Sequence, residues 1–237
     1  AGRKRPKIND KDGLLLIELC VPHRVHPWDS YFEFQTYQDA QFRFVENLPD
    51  NIRRELTVRL HGEHKQHAWS EEQRWRDRSP GTRTENGSTD IWTLIANNRL
   101  AVHSYDSTGV LETLSLNIPT LCFWREEAHP LRASARPYYE QLERAGILFH
   151  SPEMAAKKIS EIRGNVSEWW DSDEVQSARK NFCDRYARVV DKPIECMKNI
   201  FLARKKGHNF DRDCRQSPET PASGASPELA DLQDHRK

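Results

Sequence analysis

The stretch Ser104-Tyr105-Asp106-Ser107-Thr108 separates the apolar run RLAVH from a helical span that ends in LNIPTLCFW. Hydroxyl residues ahead of an apolar periodic segment read as a helix start, with Ser107 or Thr108 supplying the cap. The unpaired N–H groups and positive end of such a helix make an anion site, worth about 0.3–1 kcal/mol when exposed and more when partly buried. Glu112 follows Thr108 by four positions and so projects from the same end, within range of a ribose or sugar hydroxyl. A plainer reading of the same residues makes Ser107 only a cap and Glu112 only a solvated helix residue.

Two further groups of residues could converge on that anion. LTVRLH (56–61) alternates as a strand, and its period of two puts Arg59 and His61 on one face at the strand's carboxyl end. Arginine offers a planar, permanently charged fork to phosphate, and His61 could donate a hydrogen bond or titrate. After the first apolar run comes PHRVHPW (22–28), a stiff basic and aromatic loop that contributes His23 and Arg24. It lacks the G-x-G-x-x-G of dinucleotide-binding sheets, which argues against a dehydrogenase. The histidines of HGEHKQH (61–67) fall at i, i+3 and i+6 in a glycine-containing loop. That spacing matches no zinc signature, so no metal is expected.

The elements that must hold these groups alternate. Strands are expected at 13–21, 56–61, 99–103, 120–124 and 147–150, with a weak one inside 79–89. Helices are expected between residues 37 and 48, at 69–78 with a Ser70 cap, and at 90–97, 107–117 and 131–145. Such alternation implies an α/β fold, a doubly wound and mostly parallel Rossmann-like sheet, since each parallel crossover needs a helix. Ligands then lie outside the carboxyl ends of the strands, between the first and fourth strands in the commonest order. Two more helices, 155–166 and 175–189, extend the C-terminal side. Residues 1–13 read as a linker and 14–205 as one domain. Residues 206–237 read as a disordered tail, too poor in aromatic and β-branched residues to offset their ordering entropy.

Composition narrows the partners. Lysine plus arginine and aspartate plus glutamate number 36 each, so no global field draws the chain to nucleic acid. Five scattered cysteines without a C-x-x-C fit a reducing compartment. No apolar stretch approaches the ~20 residues of a membrane span, and the N-terminus lacks a signal-peptide core, so a cytoplasmic protein is expected.

RLAVHSYDSTGVLETLSLNIPTLCFW, together with CVPHRVHPWDSY and VRLHGEH before it and YYEQLERAGILFHSPEMAAKKI and EWWDSDEVQSARKNFCDRYAR after it, resembles the C-terminal half of transferases of O-antigen and other bacterial surface-polysaccharide synthesis. The likeness spans about residues 14–204. In outline the chain is also similar to the nucleotide-binding half of GT-B glycosyltransferases and of teichoic-acid glycerophosphotransferases. The resemblance implies a nucleotide-sugar donor, a glycan or lipid-linked acceptor at the inner face of the membrane, and no metal cofactor. It implies donor phosphate contacts at Ser107, Thr108 and Arg59, with Arg24 and Ser104 beside them, and a ribose or sugar contact at Glu112. His23 and His61 face the cleft with Arg59 as the catalytic set. A GT-B enzyme has two facing halves, so an acceptor half is expected ahead of residue 1. A CDP-polyol phosphotransferase and a non-catalytic nucleotide-binding module are the alternatives.

Overall fold

The computed structural model describes residues 13–19, 31–63, 70–125, 131–190 and 192–205. Six short strands form its frame: β1 (Leu14–Ile17), β2 (Leu56–Arg59), β3 (Arg83–Glu85), β4 (Leu100–His103), β5 (Thr120–Phe123) and β6 (Leu148–Phe149). They lie in the order β3-β2-β1-β4-β5-β6, every pair parallel. Leu14 to Ile17 stand in register with Leu56 to Arg59 on one side and Leu100 to His103 on the other. The chain therefore winds outward one way from β1 and the other way from β4, and the reversal opens a crevice between their carboxyl ends. The α/β Rossmann-like sheet expected from the sequence is the one observed.

The central strands β1, β4 and β5, short and buried along their whole length, must be covered on both faces. On one face Leu14, Leu16, Val58, Val102 and Phe123 pack under Phe44 and Val45 of α1 (Tyr31–Glu46), Trp75 of α3 (Glu71–Arg78) and Ala155 and Ile159 of α7 (Pro152–Ile162). A short α2 (Asp50–Arg53) starts after Pro49 and buries Ile52. On the other face α4 (Ile91–Ala96) covers Leu15, Ile17 and Ala101 with Ile95. There α5 (Thr108–Ser115), α6 (Arg136–Arg144) and α9 (Asp173–Tyr186) enclose Cys122 and Trp124 with Val110, Leu114, Leu142 and Phe182. At roughly 25 cal/mol per Å² of apolar surface, these layers provide most of the drive to fold.

Several boundaries differ from the expectations, each for a local reason. The helix expected at 131–145 begins at Arg136, after a turn at 133–135, with Pro137 in its first turn. The helix expected to reach Val166 ends at Ile162; a 3-10 turn follows, and Asn165 caps a new helix, α8 (Val166–Trp170), by accepting from the Glu168 amide. Ser70 stands at the cap position of α3, yet its side chain makes no capping bond, and the helix buries Trp75 and Glu71.

The described residues divide into two units, one ending at residue 189 and a second from residue 190 on. The second contains α10 (Pro193–Lys205), a helix the sequence reading did not anticipate, with Ile194, Met197, Phe201 and Leu202 exposed. The expected tail lies beyond residue 205, outside the described residues. No helix among them is long and apolar enough to cross a membrane.

Candidate functional site

The crevice between β1 and β4 is floored by hydroxyls. Ser104, only 3 % exposed, donates to the Ile17 carbonyl at 3.1 Å and meets the Tyr37 hydroxyl of α1 at 3.0 Å. Tyr37 in turn accepts from the Leu19 amide at 2.7 Å. Burial holds the Tyr37 phenol well above its ordinary range, and the Glu18 carboxyl adds to that. Ser104 thus stands at the end of β4 with its hydroxyl hydrogen committed to β1.

The rest of the segment between β4 and α5 is also pinned. Asp106 accepts from the Tyr139 hydroxyl of α6 at 3.0 Å. Ser107 adopts extended geometry as N-cap of α5 and accepts from the Gly109 amide at 3.2 Å. Tyr105 is half-buried, with its phenol pushed up by burial; its hydrogen bond to Ser107 and the nearby Arg59 charge work against that rise. Through Tyr105, therefore, the end of β2 is linked electrostatically to the start of α5 across the intervening β1. Thr108, exposed, opens the helix, and Glu112 is exposed one turn on.

Arg59 is half-buried as the last residue of β2, and its Nε is buried without a hydrogen-bond partner. A charged donor left unmet at the ligand edge of a sheet is poised for an incoming anion. His61 is half-buried two residues beyond; its Nδ1 accepts from the Glu63 amide at 3.3 Å, so its other ring nitrogen carries the proton. His23 and Arg24 fall outside the described residues. Among those residues no three His, Cys, Asp or Glu side chains group as metal ligands would.

Sequence reasoning missed a buried polar cluster beside the floor. Glu18 follows β1 at 6 % exposure and accepts from Trp75 Nε1 at 3.1 Å. Burial, and then the nearby Glu71, holds the Glu18 carboxyl well above the carboxylate range. Burial raises Glu71 too, and its Oε2 has no partner; the Arg74 charge counters part of that rise. Arg74 bonds the Gln38 side chain. The available signal was a lone glutamate inside LLLIELC.

A second omission is His103, which ends β4 at 2 % exposure, its pKa pulled down to about 4 by burial. Its Nε2 lies 3.3 Å from Thr113 Oγ1 of α5. A histidine closing an otherwise apolar strand, six residues ahead of a glycine, was the available cue.

What the arrangement can do chemically is hold an anion at the α5 start, between a helix N-terminus and a guanidinium, over a rigid hydroxyl floor. No curated protein matches the chain. Over residues 1–201, which take in all six strands and the α5 mouth just described, it matches the LIC12162 family transferase model, and the chain belongs to that family.

Proposed function

We propose that this transferase-family chain binds the nucleotide-sugar donor of a GT-B-type glycosyltransferase in bacterial surface-polysaccharide, O-antigen-like, synthesis. The supporting observation is the juxtaposition of Arg59, its Nε buried and unmet, with the Ser107-capped start of α5 through Tyr105. The donor phosphates lie at the α5 N-terminus, where the Thr108 amide is one of those no helical turn can satisfy. Arg59 neutralises the charge that develops on the leaving nucleotide phosphate, and Glu112 reaches a ribose or sugar hydroxyl from the next turn. His61, with its outer ring nitrogen protonated, completes the described part of the cleft. Helix end and guanidinium together meet the phosphate charge without a metal, so binding persists in chelator. The acceptor is a glycan or lipid-linked saccharide.

Titration calorimetry with UDP-, GDP-, CMP- and CDP-activated donors tests the reading. One of them binds, and Arg59→Ala and Ser107→Ala each weaken it by about tenfold or more, as loss of a charge-assisted contact does. Affinity weaker than about 1 mM for every donor, or binding indifferent to both substitutions, would overturn it.

A further inference from the structure

Asp106 stands in the segment between β4 and α5, one residue ahead of the Ser107 cap. It is half-buried, and its Oδ2 accepts from the Tyr139 hydroxyl at 3.0 Å. Tyr139 is itself held by aromatic packing, edge-on to Phe182 of α9 at 5.1 Å between ring centroids and 6.4 Å from Tyr186. Burial, and then Asp106, push the Tyr139 phenol up, so it keeps its hydrogen and gives it to the carboxylate. One oxygen of Asp106 is therefore fixed from α6. The other, Oδ1, has no hydrogen-bond partner among the described residues and is not sealed from solvent. An oriented carboxylate oxygen with free lone pairs, at the ligand edge of a doubly wound sheet, is an acceptor set for a hydroxyl.

The strand order separates the charges along this edge. Arg59 ends β2 on one side of the α5 mouth, and Tyr139, which aims Asp106, belongs to α6, between β5 and β6 on the other. A diphosphate at the mouth is drawn toward the guanidinium and repelled by the carboxylate. The part of the donor left to face Asp106 is then uncharged and rich in hydroxyls. Two parts of a nucleotide sugar meet that description. The ribose hangs from its phosphate through a methylene, which sets its hydroxyls further off, toward Glu112 one helical turn into α5. The transferred sugar is joined through its anomeric oxygen, so its neighbouring ring hydroxyl lies a bond closer to phosphorus and to the residue beside the cap.

We propose that Asp106 is a specificity-determining residue of the donor site: its Oδ1 accepts from a ring hydroxyl of the transferred sugar, Tyr139 positions it, and its charge selects neutral sugars over uronic acids. The inference rests on the donor-site reading above. A hydroxyl donating to a carboxylate makes a charge-assisted bond, whereas a second carboxylate brought beside Asp106 meets like-charge repulsion.

The test is titration calorimetry of the full chain with UDP-glucose against UDP-glucuronate and GDP-mannose against GDP-mannuronate, with UDP and GDP as sugar-free references. In the pair that binds, the neutral sugar should be preferred by about tenfold or more. Asp106→Asn keeps the size and an oxygen for Tyr139 while removing the charge. It should weaken the neutral donor by about fivefold, bring the two sugars to within about threefold of each other and leave the sugar-free nucleotide unchanged. Tyr139→Phe keeps the aromatic packing but frees the carboxylate to turn, and should reduce the preference in a protein that stays folded by circular dichroism. A tie that served stability alone would leave the preference intact, and that result overturns the positioning role. Equal binding of neutral and acidic donors by the wild type, a preference that survives Asp106→Asn, or a loss of UDP or GDP affinity equal to that of the sugar donor overturns the proposal while leaving the donor reading standing. Absence of binding of every donor by the wild-type chain overturns both.

Discussion

The Tyr37 hydroxyl stands 3.0 Å from Ser104 Oγ and 2.7 Å from the Leu19 amide nitrogen, so one side chain of α1 spans the ends of two neighbouring strands. Because Ser104 spends its hydrogen on the Ile17 carbonyl, the bonds have one direction: Leu19 donates to Tyr37, Tyr37 to Ser104, Ser104 to Ile17. The crevice floor is a closed chain of donors and acceptors. The relay ties the carboxyl ends of β1 and β4 to α1 at the switch point.

Removing the middle of the relay breaks it on both sides. Tyr37→Phe leaves the buried Ser104 oxygen without its donor and returns the exposed Leu19 N–H to solvent, at a cost of about 1 kcal/mol or more. Ser104→Ala is expected to cost a similar amount. The double variant should lose less than the sum, with a coupling of roughly 0.5–3 kcal/mol, because the two singles break one network. Urea denaturation of all four proteins measures the cycle; strict additivity would mean that the hydroxyls act independently.

Glu18 sets the alkaline side of stability. Its folded-state carboxyl is held above the ordinary value of 4.5, first by burial and then by Glu71. The folded chain therefore keeps a proton that the unfolded chain has released. Its stabilisation is full below that ordinary value and is lost as pH rises through the raised folded value. Glu18→Gln keeps an oxygen for Trp75 Nε1 and has no charge to bury. As pH rises above the ordinary value of 4.5, the variant should lose less stability than the wild type, read by chemical denaturation at several pH values. Equal slopes would show that Glu18 is already ionised in the fold.

The centre of the sheet was legible because β1, β4 and β5 are fully buried. LLLI, LAVH and TLCF carry no polar face, and Pro119 and Gly146 mark the entries to β5 and β6, so composition and punctuation alone revealed the alternation. The α5 mouth was legible because a cap is a local device: Ser107 needs only its own turn. Arg59 was placed by period two in the strand. What escaped depends on distance through space. Nothing near Glu18 in the chain announces Trp75, 57 positions away, and nothing near Tyr37 announces Ser104. The burial of Trp75 has no signal in its own helix, because its aromatic partner Phe42, 4.6 Å away between ring centroids, comes from α1.

Gly87 makes a sharper case for a residue fixed by its neighbours. It has φ +78°, and a Cβ there would sit 2.5 Å from the Gly62 Cα, backbone that cannot swing aside. Glu85 clamps the same loop by accepting from the Gly87, Ser88 and Thr89 amides. Gly87→Ala should therefore cost more than the ~1 kcal/mol of left-handed strain alone. Gly81→Ala, at φ +90° with nothing within 4 Å, should cost that strain and little else. Thermal denaturation of the two variants separates the effects. Because Gly62 follows His61 directly, the Gly87 variant should also weaken donor binding, and Gly81→Ala should not.

His103 governs the acid limb, with the opposite sign to Glu18. Burial takes its folded pKa from 6.5 to about 4, so below 6.5 the unfolded chain binds a proton that the folded chain refuses. Stability from this residue is complete above 6.5 and is lost as pH falls toward 4, by roughly 3 kcal/mol at most. His103→Asn, which cannot charge, should flatten that limb even if it lowers stability at neutral pH through the changed contact with Thr113. Glu18 acts the other way on alkalinisation, so combining the two substitutions separates their contributions. An unchanged acid limb in His103→Asn would show that the imidazole is protonated within the fold.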